Sequence, residues 1–145
     1  MEKLEENNQN DNDKYYFFNN SFVEKINLKD FEISEKLTKC NYGYIAYCKK
    51  IRSSQAYSLK VLKKKNILES KFVERQYNEY MNLSNIYHPF IIELKGINFT
   101  DPYNLYYLFE LVPGGPLKYY LKLNKYIPID QAKFYIACLI TVLDY

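Results

Sequence analysis

Gln55-Ala56-Tyr57-Ser58-Leu59-Lys60-Val61-Leu62 alternates along its length, with Tyr57, Leu59 and Val61 on one side and Ala56, Ser58, Lys60 and Leu62 on the other. Period-two alternation of this kind marks a β-strand. A lysine on the mostly small, apolar side of a strand needs a partner, because an unpaired ammonium is costly to bury. Glu79, within a segment of helical periodicity, is the candidate. A strand lysine met by an inward helix glutamate holds an ammonium group ready for phosphate.

Working outward, Asp30 to Leu37 also alternates with period two, and Tyr42 to Cys48 follows after a break at Thr38–Asn41. With a turn at Ile51-Arg52-Ser53-Ser54, these stretches predict an antiparallel meander of three strands ending in the Lys60 strand. Lys63-Lys64-Lys65-Asn66-Ile67 is a basic connector. It lacks the interleaved aromatics of a nucleic-acid patch, so a solvated turn is expected. Ser70 offers an N-cap and Glu74 suits the first turn of a helix. Val73, Tyr77, Tyr80, Met81 and Ser84 recur along one face of that helix, with Glu79 beside them.

His88-Pro89 leaves the helix by a turn, since the residue before a proline is held extended. Gly96 to Phe99 reads as a fourth strand, Asp101-Pro102 as a turn and Leu105 to Val112 as a fully buried fifth strand. Pro113-Gly114-Gly115-Pro116 is the strongest breaker in the chain and marks a hinge. A short helix from Leu117 to Leu123 and a long one from about Pro128 to Tyr145 are expected beyond it.

The chain has 145 residues, 48% of them hydrophobic and 18% aromatic, enough for one domain with a sizeable core. Net charge is +3, but residues 1–14 carry −3 and the remainder +6. That acidic stretch has too little apolar surface to fold and is expected to be a disordered tail. Tyr15-Tyr16-Phe17-Phe18 opens an aromatic lead-in over 15–29, expected as a short helix or a sticky tail. Three cysteines without metal-ligand spacing, a single histidine and no signal peptide imply a reduced, cytoplasmic, soluble protein without a metal site. The longest apolar run, Phe134 to Leu143, is too short to span a bilayer. There is no P-loop and no nucleophile elbow, and the weak positive charge does not imply nucleic acid.

Five strands with one helix after the third, then a Gly-Gly hinge and two helices, resemble the small lobe of a eukaryotic Ser/Thr protein kinase entering its large lobe. The likeness is carried by Ala56-Tyr57-Ser58-Leu59-Lys60, Asn78-Glu79, His88-Pro89-Phe90, Leu105-Tyr106-Tyr107-Leu108-Phe109-Glu110-Leu111-Val112-Pro113-Gly114-Gly115 and Phe134-Tyr135-Ile136-Ala137-Cys138. Local sequence is most similar to the cAMP/cGMP-dependent branch. The resemblance implies an α+β fold: a five-stranded antiparallel sheet plus one inserted helix over 30–112, a hinge at 113–116, and the first helices of an incomplete large lobe over 117–145.

For the site, the resemblance implies ATP. Lys60 would contact its α- and β-phosphates and Glu79 would orient the lysine. Leu37, Gly43, Ile45 and Ser58 would cover the nucleotide, with Leu117 opposite and Phe109 as gatekeeper. Backbone groups of Glu110 and Val112 would meet the adenine edge, while Leu83 and Leu94 would pack the helix to the sheet. The implied partners are ATP and a protein substrate or the kinase large lobe.

Departures are plain. Where the family has G-x-G-x-x-G, this chain has Thr38, Cys40 and Gly43, and a Cβ at Cys40 obstructs close approach of backbone N–H groups to phosphate. Gly43 alone would also serve a hairpin. Ser58 replaces the usual alanine, and Pro116 stands in place of an acidic residue that meets ribose and basic substrate side chains. The 145 residues stop short of the family's catalytic-loop Asp, its second metal-binding Asn and its D-F-G Asp. Catalytic incompleteness is therefore expected, with Mg²⁺ bound only where that second half is present. The alternative reading is a non-catalytic, pseudokinase-like or truncated interaction module.

Overall fold

The computed structural model of the chain describes residues 23–69, 72–98 and 100–145. Strands β1 (Glu24–Lys25), β2 (Phe31–Cys40), β3 (Gly43–Lys50), β4 (Ala56–Lys63), β5 (Leu94–Asn98) and β6 (Asn104–Glu110) form one sheet in the order β1-β5-β6-β4-β3-β2. Helices α1 (Lys64–Glu69) and α2 (Val73–Asn85) lie between β4 and β5, and α3 (Leu117–Asn124) and α4 (Ile129–Asp144) follow β6.

The alternation at 56–62 sets the layers. Leu62 and Lys60 share a face with Leu105, Tyr107 and Phe109 of the neighbouring strand, their register partners being Leu62 with Leu105, Lys60 with Tyr107 and Ser58 with Phe109. On that face Ile67, Tyr80, Leu94 and Ile97 complete a buried cluster, with Val73, Met81 and Leu83 packed against it. The opposite face buries Cys48, Tyr57, Leu59, Val61, Tyr106 and Leu108 beneath Ile26, Leu28 and Phe31. Leu105 to Phe109 is buried on both faces, which is why that strand reads as a continuous apolar run.

The sheet differs from the sequence expectation in having six strands, the extra one, β1, pairing parallel to β5 through Glu24 with Gly96 and Lys25 with Ile97. The Ile26 N–H donates to the Ile97 carbonyl, and the Asn98 side-chain amide donates to the Ile26 carbonyl. A two-residue strand carries no alternation to read. A 3-10 turn at Leu28–Asp30, capped by Asn27, then leads into β2, so the described part of 15–29 contains no α-helix. Residues 1–22, including the acidic tail and the Tyr15–Phe18 aromatics, lie outside the described residues.

The basic connector is also different: 64–69 is a helix, so two helices rather than one are inserted after β4. Ile67 anchors α1 in the core, leaving Lys64 half-buried and Lys65 exposed. Ser70 lies outside the described residues; α2 begins after Phe72, which makes no side-chain cap. Strand β2 runs on to Cys40 through two register irregularities, and β6 ends at Glu110, two residues before Val112. His88 makes its turn by accepting the Phe90 N–H at Nδ1, 3.1 Å away. No helix among the described residues is long and apolar enough to cross a membrane.

Candidate functional site

Lys60 lies near the middle of β4, flanked in register by Ile45 of β3 and Tyr107 of β6. Its side chain therefore leaves the sheet on the side covered by α2. Glu79, on the second turn of α2 after Gln76 and just before buried Tyr80, meets it: Nζ donates to Oε1 at 2.5 Å. Lys60 is 18% exposed and Glu79 34%, so the pair is half-sheltered with one side open. The ammonium also sits 5.5 Å from the centre of the Tyr107 ring, a cation–π contact that steadies it from the sheet side. Tyr107 is itself fixed, its hydroxyl donating to the Gln76 carbonyl at 3.3 Å.

The open side is a cleft of about 280 Å³ between the β2–β3 turn and α2. Cys40, Tyr42, Lys60, Phe72, Gln76 and Glu79 contribute to its walls. Gln76 is buried, and its Oε1 has no hydrogen-bond partner among the described residues. Burial pushes the Cys40 thiol pKa up, opposed by the nearby Lys60 charge. Of these wall residues, Tyr42, Phe72, Gln76 and the supporting Tyr107 were not singled out by sequence. Gln76 stands one turn before Glu79 on the same helix, a spacing that could have marked it.

Ile45, Ser58 and Phe109 share the sheet face of Lys60. Phe109 is buried and stacks on Tyr107. The Ser58 hydroxyl donates to the Glu110 carbonyl at 3.4 Å. The Glu110 N–H is already given to the Glu93 carbonyl, while its carboxylate accepts the Glu93 N–H. Leu37 sits at a register irregularity of β2 and is 51% exposed. Val112 and Leu117, also exposed, flank the glycine-rich segment, where Gly114 and Gly115 adopt positive φ. Leu94 is buried and Leu83 packs against its cluster.

Gly43 is placed by packing. A Cβ there would lie 1.8 Å from the Val61 carbonyl oxygen, so the β4 backbone excludes any side chain. The positive φ of the turn falls instead on Tyr42, at 68°.

Comparison with known proteins agrees with this architecture. The protein kinase domain family matches residues 31–145. A RAC family serine/threonine-protein kinase homolog of Dictyostelium discoideum is 32% identical over 84% of this chain and 27% of its own length. A cAMP-dependent protein kinase catalytic subunit of Arthrobotrys oligospora is 34% identical over 83% of this chain and 23% of its own. The cAMP-dependent protein kinase type 3 of Saccharomyces cerevisiae is 33% identical over 83% of this chain and 30% of its own. The chain thus spans less than a third of the length of these relatives. With a six-stranded sheet and inserted helices joined by an ion pair, and a match over 31–145, the chain belongs to the protein kinase domain family and carries the N-terminal portion of that domain.

Proposed function

We propose that the chain is the ATP-binding small lobe and hinge of a Ser/Thr protein kinase, the whole protein transferring a phosphoryl group from ATP to protein hydroxyls. The observation that carries this reading is the Lys60–Glu79 pair, half-sheltered beside a cleft, in a chain of this family. The Ser/Thr class is supported by the names of the relatives.

In this reading Lys60 contacts the α- and β-phosphates. An ammonium has three N–H donors, so bonding to one Glu79 oxygen does not prevent it from meeting phosphate. Glu79 and the Tyr107 ring orient that ammonium. Such a pair is justified by positioning more than by stability, since sheltering both charges costs solvation. Ile45, Ser58 and Leu37 cover the adenine from one side and Leu117 from the other, with Phe109 closing the back. The Glu110 carbonyl and Val112 backbone take the adenine edge. A carbonyl oxygen has two lone pairs, so the Ser58 hydroxyl on Glu110 leaves one for the adenine amino group. Bound ATP supplies the transferable phosphoryl group, with Mg²⁺ held by the second half of the domain.

Mg-free ATP should raise the melting temperature of the chain, and Lys60→Ala should weaken that response. At a hundred times its dissociation constant, a ligand that binds only the folded state adds about 2.7 kcal/mol. No shift in either protein sinks the nucleotide reading. A second reading, a non-catalytic interaction module, is favoured by Thr38 and Cys40 in the phosphate turn and by the exposed apolar side chains of α4.

A further inference from the structure

We propose that Tyr42 is a positioning residue of this site, latching the β2–β3 turn to the start of the helix that carries Glu79. The turn has only two residues, Asn41 and Tyr42, between the paired Cys40 and Gly43. Tyr42 occupies the left-handed region, φ 68°, where a bulky side chain is disfavoured. Two contacts hold it there. The Lys63 N–H donates to its carbonyl at 2.9 Å, fixing the backbone to the end of β4. Its ring lies 5.4 Å from that of Phe72, the residue immediately before α2. The Arg75 guanidinium lies 5.7 Å from the other partner of this contact, Phe72, extending the stack into the first turn of α2.

The consequence for the site is geometric. Tyr42 and Phe72 both line the cleft onto which Lys60 and Glu79 open. Phe72 occupies the N-cap position of α2 and Glu79 lies seven residues on, about two helical turns into it. Holding Phe72 against the turn therefore fixes the helix, and with it the carboxylate, relative to β4. A two-residue turn of Asn41 and Tyr42, with no glycine in it, has little backbone freedom to spare. Aromatic packing supplies the fixed geometry, and Cys40, the last residue of β2 and part of the same cleft, is the thiol whose access the latch is inferred to limit.

This inference rests on the nucleotide reading for its ligand, but Cys40 gives a readout that needs no nucleotide. The experiment uses the full chain as wild type, Tyr42→Phe, Tyr42→Ala and Tyr42→Gly. The glycine variant removes the ring while relieving the left-handed backbone, and the urea midpoint of each variant is read alongside, so that alkylation through global unfolding is separated from loss of the latch. The rate of Cys40 alkylation by iodoacetamide, read by peptide mass spectrometry, should rise about three- to tenfold in the Ala and Gly variants, the scale of losing one aromatic pair. The ATP dissociation constant by calorimetry should rise by a similar factor, and Tyr42→Phe should match wild type in both. Unchanged Cys40 rates in the Ala and Gly variants overturn the latch, whatever ATP does. Faster alkylation with an unchanged ATP constant overturns the positioning role. If the wild type binds no ATP, the nucleotide reading fails, and the Cys40 rates alone decide whether the latch exists.

Discussion

A methyl group on Gly43 would sit 1.8 Å from a backbone oxygen of β4, and one on Gly96 would sit 2.3 Å from Cγ2 of Ile26. The two clashes differ in kind. At Gly43 the obstacle is backbone, which cannot yield without parting β3 from β4; at Gly96 a side-chain methyl group is in the way, with the Glu24 carbonyl 3.1 Å off. Gly43→Ala is expected to cost about 3 kcal/mol or more in urea denaturation, the upper end for overpacking, and Gly96→Ala about 1–2 kcal/mol. Equal losses would contradict this distinction. Cys48, buried under the outer face of the sheet, gives a pH-dependent counterpart. Burial raises its thiol from 9.0 to about 11, so the folded state keeps a proton that the unfolded chain releases. Its contribution is complete below about pH 9 and is lost as pH rises towards 11. The melting temperature of Cys48→Ala should accordingly fall less steeply than wild type between those values. Parallel curves would show that the thiol does not ionise as described. Legibility at this scale was uneven for a physical reason. Lys60 and Glu79 declared themselves because a charge on an apolar face demands a partner, whereas Tyr42 sits in a turn where sequence offers no periodicity and glycine or asparagine is the expected left-handed residue.

Helix α1 separates what alternation reveals from what it hides. Its lysines suggested a solvated turn, yet one residue, Ile67, is buried in the cluster with Leu62 and Tyr80 and turns the segment into a helix. Lys65 and Glu69, an exposed pair 3.7 Å apart at helical spacing, add little by comparison. Ile67→Ala should therefore cost about 2–5 kcal/mol, while Leu68→Ala, on the exposed side, should stay within about 0.5 kcal/mol. Equivalent losses in denaturation would mean that α1 packs on a different face. Tyr107→Phe tests the join between β6 and α2. It removes the hydroxyl bonded to the Gln76 carbonyl while keeping the ring under Lys60, and should cost about 1 kcal/mol. Strands β2 to β6 and helices α2 to α4 were legible because each repeats a pattern over several residues. Strand β1 was not, because two exposed residues are positioned by the Gly96 notch and the Asn98 amide, contacts to a segment some seventy positions away.

Across the whole molecule, burial is concentrated in the sheet and α2, while α3 and α4 contain no buried residue. Isolated helices of this length are marginal in water, and most helix stability in proteins comes from packing an apolar face. Amides of Leu59, Val61 and Leu108 should thus exchange with solvent slowest, and those of 129–144 orders of magnitude faster. The same helix leaves Phe134, Ile136, Leu139, Ile140 and Leu143 exposed, Leu143 by 85%. Contiguous apolar surface of this kind is a binding site or an association liability. The 145-residue chain, purified alone, should therefore sediment as a concentration-dependent mixture of monomer and larger species. Leu139→Lys combined with Leu143→Lys should shift it towards monomer without lowering the unfolding midpoint, since neither side chain is buried. Two outcomes would refute this account of the surface. A wild-type chain that stays a sharp monomer at all concentrations shows that the face is not sticky. Association that survives both lysines places the contact elsewhere, with the exposed Tyr103 and Leu68 beside the cleft between α1 and the β5–β6 turn the next surface to change.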